Sequence, residues 1–291
     1  MVKQLIGRGA LSGAAAGLVA FIVARIFAEP VISQAIDYES ARDAMQDKLD
    51  KAAGLPVPAP GPDIFSRAIQ MDVGIGAALI LFGAAMGALV AVGYVVAIGR
   101  VGRVRPFQLA LLIPTFYFLG VYLVPFLKYP ANPPAIGHED TIRDRGALYL
   151  TTVAVSCIAL FLAVYVGQKL YRRFSLYRSV LVAALGYAVV MAVLFWILPP
   201  LGHLHANVAE YGKQATETPL PLEDAHGNLV FPGFPADLLA KFRVYSILNQ
   251  VILWGGIALL FAPQAQRLLD PASARAAKES RFVEDHAPVA V

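Results

Sequence analysis

Six runs of about 20 apolar residues constrain this chain more than any other feature, because that is the helix length needed to cross a bilayer's hydrocarbon core. They are Leu5–Phe27, Val73–Ile98, Phe107–Phe126, Ala147–Val166, Val180–Leu198 and Tyr245–Phe261. In lipid each backbone amide and carbonyl must be satisfied within its own segment, so such runs fold as α-helices. Composition agrees. The 291 residues are 58% hydrophobic and 15% charged, whereas soluble chains sit near half apolar and a quarter charged. The expected fold is an all-α integral membrane protein, a six-helix bundle over residues 1–262, with a disordered cytoplasmic tail over 263–291. The first run has Lys3 ahead of it and ends "RIFAEP", which resembles a signal peptide. It is long for such a core, and five later spans make an anchoring role redundant.

Orientation follows from the connections. "GRVGRVR" after the second run carries Arg100, Arg103 and Arg105, and "QKLYRRFSLYR" after the fourth carries Lys169, Arg172, Arg173 and Arg178. Lys3 and Arg8 precede or begin the first run, and Arg267, Arg275, Lys278 and Arg281 follow the last. With six spans these four segments share one side, and the positive-inside rule places it, with both termini, in the cytoplasm. The net charge of +4 is thereby explained without a nucleic-acid partner. Single Cys157, within an apolar run, permits no intrachain disulfide. Gly9, Gly13 and Gly17 repeat every fourth residue, as do Gly83 and Gly87, a spacing that lets membrane helices approach closely. Six spans would allow an inverted repeat; the two halves show no convincing sequence echo, and that possibility stays open.

The three longer connections face outward in this topology and hold most of the acids and histidines. In the first, "EPVISQAIDYESARDAMQDKLDKAAG" reads as a polar helix off the membrane, and "LPVPAPGPD" as an elbow in which Asp63 can cap the next helix. "SRAIQMD" then brings Arg67, Gln70 and Asp72 to the membrane surface. Glu29 follows Arg25 by four residues. That spacing fits an ion pair along one helix face or a carboxylate at a cation entrance. The second connection, "VPFLKYPANPPAIGHEDTIRDRG", sets Pro125, Lys128, Pro130, Pro133 and Pro134 at the end of a span. Proline removes backbone donors and ends helices, so this stretch reads as a rigid lid. Protonated Lys128 cannot ligate a metal; it is expected to pair with a carboxylate such as Glu29 or to reach the surface. Acids in "HEDTI" suit the start of the fourth helix. The third connection holds His203, His205 and His226, residues that suit first-row divalent metals. His-x-His directs both rings one way only in extended chain. "FPGFPADLLAKFR" starts a helix at Pro235, with Asp237 in its first turn. Arg243 marks the outer face before the last span, and Asn249 and Gln250, about two turns beyond it, are expected to face the bundle interior.

No nucleotide-binding G-x-x-x-x-G-K-[ST], no H-E-x-x-H and no G-x-S-x-G is present, so an enzyme is not expected. "VYLVPFLKYPANPP" followed by "TIRDRGALY" resembles the signature of the predicted cobalt transporter subunit CbtA family. "SGAAAGLVAFIVARIFAEP", "FSRAIQ" and "GFPADLLAKFRVYSILNQVILW" are similar to its first, second and last spans. Ala28 departs from an expected glycine, and His138-Glu139-Asp140 replaces an acid-Pro-Glu arrangement. The resemblance implies Co²⁺ uptake for cobalamin (vitamin B12) synthesis across a bacterial inner membrane, with a one-span, histidine-rich CbtB partner. No bound cofactor is expected; Co²⁺ would be cargo. Candidate metal-handling residues are Glu29, Gln70, Asn132, Asp140 and Asp237 near the outer mouth, Asn249 and Gln250 deeper, and the three loop histidines as secondary candidates. The rival reading is a non-transporting scaffold that docks a metal-binding partner or another transporter.

Overall fold

The computed structural model describes residues 1–57, 65–102 and 104–269. Asp63, Arg103 and the tail from 270 lie outside the described residues. Helices dominate the described residues, and six helical runs are long and apolar enough to cross a membrane: Val2–Ala52, Arg67–Ala97, Pro106–Lys128, Glu139–Tyr171, Leu176–His203 and Ala236–Leu269.

The first run is helical without a break in the chain from Val2 to Ala52. Helix α1 (Val2–Val23) passes through a π-helical turn (Ala24–Ala28) into α2 (Glu29–Ala52). The polar helix expected off the membrane is therefore α2, an extension of the first span. Helix α3 (Arg67–Ile69), started by Ser66 Oγ accepting from the Ile69 amide, leads through a second π turn (Gln70–Gly74) into α4 (Ile75–Ala97). Helix α5 (Pro106–Tyr117) passes through a third π turn (Phe118–Leu123) into α6 (Val124–Lys128). Then come α7 (Ile142–Tyr171), α8 (Leu176–Ile197), the short α9 (His205–Tyr211), a hairpin of β1 (Leu222–Glu223) and β2 (Leu229–Phe231), and α10 (Ala236–Leu269). Helix α10 runs on through Pro263, past the expected start of the tail.

Two compact units are distinguished: Met1–Phe21 with Gly76–Tyr117 and the chain from Val251, and Ile22–Ile75 with Phe118–Gln250. Glycine organises the first. Any Cβ added at Gly9 or Gly13 would meet the carbonyl of Gly87 or Gly83, and one at Gly17 the carbonyl of Leu79. The backbones of α1 and α4 are thus in direct contact, as the four-residue glycine spacing anticipates. Helix α10 joins them. Gln264 donates to Ser12 Oγ at 2.9 Å, and Phe261 meets Tyr94 edge-on at 5.5 Å.

In the second unit, α7 packs on α8, with Ser156 Oγ and Tyr187 OH 2.7 Å apart. Helix α8 otherwise leaves Leu185, Val189 and Trp196 largely exposed. Such a contiguous apolar surface does not persist in water, and lipid is its matching solvent. The long connections share a small core of their own: Val31 and Ala35 of α2, Ile136, Phe234, and Leu238 of α10. Tyr38 closes it, stacking edge-on against Phe234 and donating to the Pro232 carbonyl.

Candidate cation entrance

The first two spans carry four charges at their π turns. A π turn widens the helix, so residues four apart no longer stack as they do in an α-helix. Arg25, within the first π turn, and Glu29, just after it, do not pair with each other as the i,i+4 reading expects. Arg25 Nε instead donates to Asp72 Oδ1 at 2.6 Å, and Arg67 Nη2 donates to Glu29 Oε1. The cross-pairs tie the first span to the second. Glu29 is 2% exposed, and its Oε2 accepts no hydrogen bond. An oxygen left in that state costs about 1–3 kcal/mol, so a carboxylate kept this way is a candidate ligand. Arg67 and Asp72 were legible only as polar residues near the membrane surface; their pairing has no local signature.

The remaining candidates disperse. Gln70, exposed, donates to the Phe65 carbonyl at 3.0 Å. Asn132 Oδ1 accepts from Arg243 Nη2 at 2.9 Å. Asp140 is exposed at the helix start before α7, and its amide donates to His138 Nδ1. Asp237 pairs with Lys241 at 3.3 Å on the surface. Asn249 keeps a buried Oδ1 without a hydrogen-bond partner, while Gln250, beside it on α10, is half-buried. His203 and His205 are exposed on either side of Leu204, and exposed His226 sits in the hairpin turn, its amide donating to Asp224 Oδ1. Among the described residues, no group of three His, Cys, Asp or Glu side chains is placed to hold a metal.

Lys128 corrects one expectation. Its ammonium donates to the carbonyls of Phe195 and Leu198 at 2.7 and 2.8 Å, so it caps the C-terminal end of α8 rather than pairing with Glu29. The last carbonyls of a helix have no internal partners and carry the negative end of its dipole. Around this cap the proline segment is held firmly. Pro125 and Pro133 are buried, Pro130 is half-buried and Pro134 is exposed. Tyr129 OH donates to the Pro199 carbonyl, and Ala135 is held at φ 72°.

Beyond Gly137, Arg145 Nη1 donates to the Ile136 carbonyl and Nη2 to that of His138. A Cβ at Gly137 would collide with this guanidinium, and its φ of 115° also requires glycine. Arg145 reaches Glu217 Oε2 at 3.5 Å; Glu217 Oε1 accepts from Thr141 Oγ1 and Asn207 Nδ2. His138 Nε2 lies 3.0 Å from Glu210 Oε2. These groups border a polar cavity of about 120 Å³ lined by Glu39, Arg42, Asp43, His138, Tyr211 and Glu217. Burial, with Glu210 alongside, pushes the Tyr211 phenol up to about 12. Arg145 and Glu217 thus join the second and third long connections, a role the sequence reading missed.

No curated protein and no solved structure matches the chain. The family described as "Probable cobalt transporter subunit (CbtA)" matches residues 2–266, nearly its whole length. With six membrane-length helices and that match, the chain is a multi-pass membrane protein that belongs to this probable cobalt transporter subunit family, CbtA.

Proposed function

We propose that the protein is the membrane permease subunit for uptake of a divalent transition metal, Co²⁺ destined for cobalamin synthesis. Both termini are cytoplasmic, and the long connections face the outside of a bacterial inner membrane. The observation that carries this reading is Glu29, a carboxylate 2% exposed at the end of the first apolar run, with one oxygen unbonded. Asn249 Oδ1, also buried without a hydrogen-bond partner, supplies an oxygen on the last span. The exposed candidates Gln70, Asp140 and Asp237 would act in gathering the ion, and Asn132 in fixing the lid through Arg243. A negative interior favours inward movement of a dication by about 4.6 kcal/mol per 100 mV, twice the single-charge value. No nucleotide site in the chain is needed for that.

A one-span, histidine-rich subunit of the CbtB kind is the proposed partner, and the chain itself has no catalytic role. The test is radiolabelled Co²⁺ uptake into liposomes holding the chain with and without that partner. Potential-driven uptake that falls at least tenfold in Glu29→Gln supports the permease reading. Failure of the pair to move Co²⁺ under any potential removes it and leaves the scaffold role.

A further inference from the structure

Arg25, Glu29, Arg67 and Asp72 form one set of four charges across the first two spans. Two carboxylates carry two negative charges, and two guanidiniums balance them. Arg25 pairs with Asp72 at 2.6 Å and also feels the charge of Glu29; Arg67 pairs with Glu29. We propose that Glu29 and Asp72 form a divalent-cation site which the two arginines keep closed, and that the ion enters by displacing both guanidiniums at constant net charge. This rests on the permease reading and names how its entrance is guarded.

Three observations support the exchange. The Glu29 carboxylate is buried, yet Oε2 accepts no hydrogen bond, so one oxygen is free to ligate before either arginine moves. Both guanidiniums are at a rim, with side chains 39% and 34% exposed, and can turn to water or lipid headgroups when released. The arginines are also electrostatically apt stand-ins. The Glu29 carboxylate, with its side chain 3% exposed, is strongly disfavoured without a counter-charge, while Asp72, 52% exposed, holds Arg25 at the rim; one dication supplies the same total charge as the two guanidiniums. Two carboxylates leave most of a coordination shell to water, a donor set that binds dications by charge and does not by itself select Co²⁺ over Mg²⁺ or Mn²⁺. That accords with the lack of any three-ligand cluster among the described residues. A monovalent ion replaces only one guanidinium and leaves the other competing, which would favour divalent cargo.

Equilibrium Co²⁺ binding to the full chain in nanodiscs, measured with radiolabelled ion, tests this. Arg25→Gln with Arg67→Gln is expected to bind at least about tenfold more tightly than the parent, because the internal competitors are gone. Glu29→Gln with Asp72→Asn is expected to lose this site. Arg25→Lys with Arg67→Lys keeps the charge and should stay within about threefold of the parent. Thermal melts identify variants that fail to fold; for those, single Arg67→Gln gives the same sign of change. Equal affinity in the parent and the glutamine variants, or tight binding that survives loss of both carboxylates, overturns the proposal. Liposome uptake that continues alongside such a result leaves the permease reading standing, whereas absent uptake with carboxylate-dependent binding leaves this site standing without it.

Discussion

Gly7 and Gly13 lie on the same helix, and their environments predict opposite responses to one methyl group. Around Gly7 there is nothing within 4 Å of an added Cβ; at Gly13 the new atom would fall on the Gly83 carbonyl and close to the Gly87 Cα. The neighbouring atoms are backbone, so no side chain can swing aside. Alanine at either site gains about 0.5–1 kcal/mol of helix propensity. At Gly13, overpacking works against that gain by about 1–3 kcal/mol. Gly7→Ala should therefore be neutral or stabilising, and Gly13→Ala net destabilising by up to roughly 2.5 kcal/mol, the balance of these two terms. The obstruction is reciprocal, since a Cβ at Gly83 would meet Gly13 and one at Gly87 would meet Gly9. Gly87→Ala should behave like Gly13→Ala, and the two together should cost less than their sum, because the first already separates the helices. Thermal unfolding in detergent, followed by size-exclusion of the monodisperse fraction, measures the difference. If Gly13→Ala melts with Gly7→Ala at or above the parent, α1 and α4 do not pack backbone to backbone.

Other outcomes follow from single contacts. Lys128→Met removes a charged donor from the Phe195 and Leu198 carbonyls and should cost about 1.5–3 kcal/mol; faster amide exchange confined to the last turn of α8 would check it. Glu217→Gln leaves Arg145 facing a neutral partner at a site whose side chain is 0% exposed, a loss of up to about 3–5 kcal/mol. Limited proteolysis should then cut the connection between α8 and α10 sooner than in the parent. Hydrogen bonds from the Asn228 side chain and amide hold the Asp224 carboxyl below its usual 3.8. A depressed folded value means the turn's stabilisation is complete above the unfolded value and is lost as pH falls through the folded one. An NMR titration of Asp224 should therefore have its midpoint below 3.8, and replacing Asn228 by Ala should raise it.

All six spans were legible because hydropathy is local: each residue votes by its own side chain, and the expected and observed helices overlap throughout. The four-residue glycine spacing was likewise readable as close packing, since it fixes which face of α1 can approach another backbone. What the spacing could not name was α4 as the partner. The charges behaved differently. Arg25 and Glu29 sit at a spacing that favours a local pair in an α-helix, but Arg25 lies within a π turn that ends just before Glu29, and no composition signals a π turn. Lys128 was read toward a carboxylate because opposite charge is the simplest partner, whereas helix-end carbonyls offered by α8, about 70 residues along the chain, satisfied it better.

By itself, then, the sequence determined the membrane class, the number of spans and the contact face of the first helix, because these depend on apolar length and residue size along a short stretch. Tertiary structure alone decided which charges meet. It crossed Arg25 to Asp72 and Arg67 to Glu29, and it buried Glu217 between Thr141, Asn207 and Arg145. The reason is physical: a charge taken out of water must find its counter-charge within a few ångströms, and which group stands there is set by how distant segments fold over one another.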